Sequence, residues 1–216
     1  MVLSAITRRN LLAVLSIASL GAACSARTGA GEASGARANL YHCEGCEGAL
    51  ERDADTLGWQ ATMASPSEPG ERMRIEGIIL NSDGRTPAAG VVVYAHHTNA
   101  NGLYANGSAE SEWSQRHGRL RAWVRTDADG RYAFNTIKPA PYPDMTMPAH
   151  VHLVVAEPGR RAYYIDDIVF DGEFGVTPSY RDQQELRGGS GITKLVRAAT
   201  GQWLARRNIT LERHPA

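Results

Sequence analysis

Short apolar strands separated by turn residues, with no long helical period between them, predict an all-β chain, an antiparallel β-sandwich with little helix. Three observations carry that expectation. β-Branched and alternating runs recur from Met73 to Leu211, and Gly and Pro (22 and 10 of 216 residues) punctuate them. The hydrophobic share of 43% suits a packed core and excludes a largely disordered chain.

Taken in order, Met73-Arg74-Ile75-Glu76-Gly77-Ile78-Ile79-Leu80 alternates before turning apolar, Asn81-Ser82-Asp83-Gly84 is a turn, and Val91-Val92-Val93-Tyr94-Ala95-His96 is a β-branched strand. Leu120 to Thr126 runs through Asp127-Ala128-Asp129-Gly130 into Arg131-Tyr132-Ala133-Phe134, which reads as a hairpin with Gly at the reversal. Ala149 to Val155 follows a proline-rich loop, and Arg161 to Phe170 and Trp203 to Leu211 supply later strands. The sandwich domain is expected over residues 71–216.

Upstream lie two other segments. In residues 1–24, Thr7-Arg8-Arg9-Asn10-Leu11-Leu12 is a twin-arginine export pattern, followed by an apolar run too short to cross a bilayer core of about 30 Å. Gly21-Ala22-Ala23-Cys24 reads either as a lipoprotein cleavage site with a lipid anchor on Cys24 or as an ordinary signal-peptidase site. The expected location is the periplasm or cell envelope. Residues 25–70 are expected to be a flexible linker carrying Cys43-Glu44-Gly45-Cys46, whose spacing fits a redox pair, half a zinc site or, preferred in an oxidising compartment, a local disulfide.

Lys+Arg and Asp+Glu both number 23, so no basic field is available for nucleic acid, and a small-molecule partner is expected. A homo-oligomer is compatible with the chain. Export of folded proteins often follows cofactor loading, which directs attention to metal ligands. His150 and His152, two apart on a strand, leave the same face and can share one ion. Tyr142 stands among prolines in Lys138-Pro139-Ala140-Pro141-Tyr142-Pro143, and Tyr104 ends the turn Asn99-Ala100-Asn101-Gly102-Leu103-Tyr104. Taken singly, each tyrosine reads as a half-buried packing residue with a wet hydroxyl. His96 and His97 face opposite sides of a strand end; surface exposure is the expectation for both, with at most His96 turned toward a site. Gly188-Gly189-Ser190-Gly191 reads as a flexible loop.

The stretch Gly130 to Pro143, followed by Pro148-Ala149-His150-Val151-His152, resembles the signature of the intradiol ring-cleavage dioxygenases, the catechol and protocatechuate dioxygenase family, whose sandwich is prealbumin-like. The resemblance implies a non-haem Fe(III) held by Tyr104, Tyr142, His150 and His152, with catechol and O2 as substrates and a cis,cis-muconate-type product. It also implies a catalytic role for Tyr142, the ligand that yields to the incoming catecholate. Hard phenolate oxygens favour Fe(III) over Fe(II), in keeping with that assignment. Two positions depart from the family pattern: Met147 stands where an arginine is usual, and Asp167 where a glutamine is usual. Arg125, with Arg121 beside it on a neighbouring strand, is the candidate catalytic replacement for the missing cation. The strand-and-turn logic is also similar to non-catalytic transthyretin-like or carboxypeptidase-regulatory-like binding modules, which need no convergence of the four ligand-type residues.

Overall fold

The computed structural model describes residues 35–107 and 111–215. The export signal of residues 1–24, with Arg8, Arg9 and Cys24, lies outside the described residues, as does most of the Gly/Ala/Ser-rich tether. Among the described residues no helix is long and apolar enough to cross a membrane.

Two sheets face each other across one core. The strands in chain order are β1 (Gln60–Thr62), β2 (Arg72–Leu80), β3 (Val92–His97), β4 (Arg121–Arg125), β5 (Arg131–Ile137), β6 (His150–Ala156), β7 (Tyr163–Phe170), β8 (Ile192–Thr193), β9 (Leu195–Arg197), β10 (Trp203–Arg206) and β11 (Ile209–Thr210). One sheet has the order β1-β5-β2-β10-β9, with β11 also on β2; the other has the order β4-β3-β6-β7-β8. The long ladders are antiparallel, while the short strands β1, β8 and β11 join their neighbours in parallel, and β10 runs parallel to β2 and antiparallel to β9. Two short helices, α1 (Glu112–His117) and α2 (Pro178–Asp182), cover one face.

Side-chain alternation divides the five-stranded sheet cleanly. Val93 and Ala95 of β3, Ala122 and Val124 of β4, and Val151, Leu153 and Val155 of β6 point inward and meet Met73, Ile75, Ile79, Tyr132 and Phe134 of the other sheet. The intervening residues Val92, Tyr94, Trp123, Val154 and Ala156 point outward and bury a second cluster against Cys46 and Ala49. His150 and His152 share that outward phase, so their site lies on the outer face of the sheet, beneath the N-terminal segment and the two helices.

Several expectations need correction. The stretch 25–70 is not simply a linker: β1 pairs β5, Leu40, Met63 and Ala64 are buried in the main core, and Arg37 and Tyr41 bond Glu212 and His214 (2.8 and 2.5 Å). Apolar surface in that segment is covered by both sheets, which its polar composition obscured. The reversal at Asp127–Gly130 forms as a turn, with Gly130 N donating to Asp127 O at 3.0 Å, yet β4 and β5 belong to different sheets, so it is a crossing between layers and not a hairpin. His96 and His97 are both buried, at 8% and 1% exposure, because β3 is an inner strand with β4 on one side and β6 on the other. The loop at Gly188–Gly191 is fixed: Gly188 N donates to Glu212 Oε1 at 2.9 Å, and at Gly191 a Cβ would stand 2.0 Å from Asp167 O.

Candidate metal centre

Two loops and one strand bring four side chains together. The loop after β3 is shaped by Asn99, whose Oδ1 accepts from the backbone N of Asn101 and Leu103 (2.9 and 3.1 Å), and it is stitched to the proline loop by Thr98 Oγ1 donating to Ala140 O at 2.7 Å. Gly102 is required where the loops touch. Its φ is +76°, and a Cβ there would lie 2.0 Å from Pro141 O. This close approach sets Tyr104 against Tyr142, hydroxyl to hydroxyl at 3.1 Å.

The four donor atoms close into a ring. Tyr104 Oη lies 2.8 Å from His152 Nε2, that nitrogen lies 3.1 Å from His150 Nε2, and Tyr142 Oη lies 3.2 Å from His150 Nε2 and 3.1 Å from Tyr104 Oη. His150 Nδ1–H donates to Pro148 O at 2.7 Å, and His152 Nδ1–H donates to Asp167 Oδ1 at 3.0 Å. Both imidazoles therefore turn their hydrogens outward and their Nε2 lone pairs inward. In the neutral state the only hydrogens left inside the ring are the two phenol protons, which a cation would replace. Neighbouring donors about 3 Å apart are what adjacent ligands span when each lies about 2.1 Å from one ion. Two phenols and two imidazoles make a hard, oxygen-rich donor set suited to Fe(III), so the residues present fit the expected group.

Electrostatics agree with that fit. Burial, reinforced by the Tyr142 hydroxyl, pushes the Tyr104 phenol above its ordinary range, so a cation is what would bring its phenolate form within reach. Burial lowers His150, keeping it neutral and able to ligate. Burial also disfavours charge on His152, but the Asp167 charge and hydrogen bond outweigh it and raise this imidazole; reciprocally, His152 holds Asp167 below the usual carboxylate range against burial.

Asp167 reaches His152 through an irregularity in the sheet. The β6–β7 register shifts between Val151 and Leu153, so that Asp166 and Asp167 together oppose His152 alone. Such a bulge re-aims a side chain next to a functional site. It turns the departure at Asp167 into a carboxylate partner for a candidate ligand.

Arg125 is not brought to the site. It pairs with Val92 in the ladder, four residues from His96 and hence roughly 13 Å along the strand, and its guanidinium bonds Asp55 at 2.9 Å. Arg121 is level with His96, yet its guanidinium is held by Glu51 and Ser111 and lies 5.0 Å over the Trp123 ring. Met147 is 38% exposed.

A cavity of about 350 Å³ opens beside His152, lined also by His96, His117, Asp167, Gln184 and the Cys43–Gly45 stretch. Cys43 and Cys46 form the local disulfide expected from their spacing. His96 and His117 stack face to face, centroids 4.0 Å apart, and His96 lies 4.6 Å from the His152 ring. Burial lowers His96 well below its ordinary value and brings His117 down to about 4, so both are neutral at pH 7. Sequence reasoning missed α1 and with it His117, since six residues show no period; Ser111 and Ser114, which cap each other, were the available signal. Thr177 followed by Pro178 would likewise have announced α2, which carries the chain to Gln184.

Comparison with known proteins bears on the family and the fold. The sequence profile of the Dioxygenase family (Dioxygenase_C) matches residues 51–178, more than half of the chain. The chain belongs to the Dioxygenase family. Catechol 1,2-dioxygenase 2 of Acinetobacter lwoffii is 29% identical over 154 residues, covering 59% of this chain and 54% of that protein. The chain thus spans about half the length of this relative. Among solved structures, the dioxygenase domain of a dioxygenase carbohydrate-binding protein fusion from Streptomyces sp. SirexAA-E superimposes with a TM-score of 0.54 at 21% identity, covering 70% of this chain and 86% of that one. Catechol 1,2-dioxygenase from Pseudomonas arvilla C-1 gives 0.51 at 25% identity, covering 74% and 57%.

Proposed function

We propose that this family member cleaves a catechol between its two hydroxyl-bearing carbons, using O2 and a non-haem ferric ion held by Tyr104, Tyr142, His150 and His152. The observation that carries the reading is the closed ring of two phenol oxygens and two imidazole nitrogens at 2.8–3.2 Å. Ferric iron would supply Lewis acidity, binding the catechol oxygens and making the ring reactive toward O2. Both oxygen atoms enter the product, a cis,cis-muconate-type diacid. The chain's own residues hold and move protons around that chemistry. Tyr142, on the half-buried proline loop, is the base that accepts a catechol hydroxyl proton at Oη as it yields its position. Tyr104, braced by the Gly102–Pro141 contact, stays as the fixed phenolate. Pro148 O and Asp167 keep both Nε2 atoms directed inward. A non-catalytic binding module gives no reason for this convergence.

We further propose an exported protein of the periplasm or cell envelope, in keeping with the Cys43–Cys46 disulfide and the twin-arginine pattern.

The test is direct. Purified protein loaded with iron should be red-brown from tyrosinate-to-Fe(III) charge transfer, Tyr142→Phe should shift that band, and catechol under air should yield a muconate-type ultraviolet product. A colourless protein that leaves catechol intact would overturn the reading.

A further inference from the structure

Two residues that line the cavity beside His152 each carry a buried polar atom with no hydrogen-bond partner among the described residues, Nδ1 of His96 and Oε1 of Gln184. His96 is 8% exposed, and its ring is wedged between His117 and His152. An unpaired buried polar atom costs about 1–3 kcal/mol, and a bound ligand that supplies the missing hydrogen bond recovers it. The two residues come from different elements, the end of β3 and the chain just after α2, and line the same lumen.

Size and charge narrow the ligand. About 350 Å³ lies in the range of pockets for ligands larger than one unsubstituted ring. The lining contains Glu44, Asp166, Asp167 and Glu185 and no Lys or Arg. Arg116 and Arg187, which pair with Glu44 and Glu185, are not among the lining residues. A carboxylate entering this lumen would lose its hydration with no cation to meet it and with like charges around it.

We propose that the substrate is a catechol whose ring carries an uncharged, hydroxyl-bearing arm, with the arm seated between His96 and Gln184 while the two ring hydroxyls face the metal centre. This rests on the ring-cleavage reading above and adds the substrate class to it.

A matched pair of probes tests the charge, and catechol tests the size. Caffeyl alcohol and caffeate share one skeleton and differ in a terminal hydroxymethyl or carboxylate. With iron-loaded full-length protein, kcat/KM for caffeyl alcohol should exceed that for caffeate by more than about tenfold and should also exceed that for catechol. Gln184→Leu should shrink the preference for caffeyl alcohol over catechol by about tenfold. Calorimetric titration of iron-stripped protein should retain binding of caffeyl alcohol over caffeate, since the arm site does not include the metal. Catechol cleavage with caffeate accepted as well as caffeyl alcohol would overturn this proposal and leave ring cleavage standing. Selective binding of caffeyl alcohol to a protein that cleaves none of the three would overturn ring cleavage and leave the arm site standing.

Discussion

Asp167 and His97 show how single groups set the chemistry and the acid limit of this molecule. Asp167 accepts from His152 Nδ1 at 3.0 Å, fixing the tautomer that presents Nε2 to the centre. Asp167→Asn should therefore weaken ferric binding by about 10–100-fold, measured by competition with a chelator; unchanged affinity would show that the carboxylate is dispensable. His97 faces the core, bonded to Thr98 O and Thr136 Oγ1 at 2.7 Å each, and burial lowers it to about 4 from an ordinary 6.5. Its folded-state value is depressed, so the stability tied to its neutral form is whole above pH 6.5 and is lost as pH falls toward 4. That loss amounts to roughly 3 kcal/mol. Urea denaturation at pH 7 and pH 4.5 should reveal it, and His97→Gln should flatten the dependence. The two histidines were legible from spacing, since a His-x-His on a strand puts both imidazoles on one face whatever the rest does, whereas the two tyrosines were singled out only by the family resemblance. Asp167 was not legible, because its reach to His152 depends on a bulge that shifts the pleat by one residue, and no local pattern records that shift.

Elements meet at two junctions that can be tested as units. The Tyr104 and Tyr142 loops touch through Gly102, where a side chain meets the unfavourable left-handed backbone and a carbonyl at 2.0 Å together. Gly102→Ala should cost roughly 3 kcal/mol in chemical denaturation and release iron, as the two phenols are driven apart. The second junction is the disulfide-closed turn before the short 3-10 helix Cys46–Leu50. Gly48 accepts from Trp123 Nε1 at 2.8 Å, and the turn carries Cys43 to Gly45 into the cavity wall. Opening this small ring by reduction should lower stability by roughly 2 kcal/mol, read as a fall in Tm. An unaltered Tm in reductant would show that packing alone holds the turn. The long strands were legible because alternation over seven to nine residues fixes both their existence and their inner face. The short parallel strands β1 and β8 were not, since two or three residues carry no period and form only where a longer strand offers an open edge.

At the scale of the whole molecule, both flanks of the chain close the same body. Leu40, Met63 and Ala64 complete the core from one flank, while Arg37 and Tyr41 bind Glu212 and His214 from the other. A chain starting at residue 71 should consequently fail to refold cooperatively, whereas one starting at residue 35 should keep the circular dichroism and iron stoichiometry of the full chain; cooperative refolding of the shorter form would refute this dependence. The sandwich class was legible from strand and turn frequency, but the segment before residue 71 was read as a linker because its contribution to the core is only a few scattered side chains. The central strand β2 carries a further consequence. Its partners β10 and β11 arrive late, as with Arg206 and Glu76, which bond across 130 positions. Synthesis must therefore run far ahead of sheet closure, and folding is slowed by the long loop that must first be gathered in. Until then the exposed edge of β2 is a template for other unfinished copies, and a ribosome that stops before β10 would release a chain prone to aggregate.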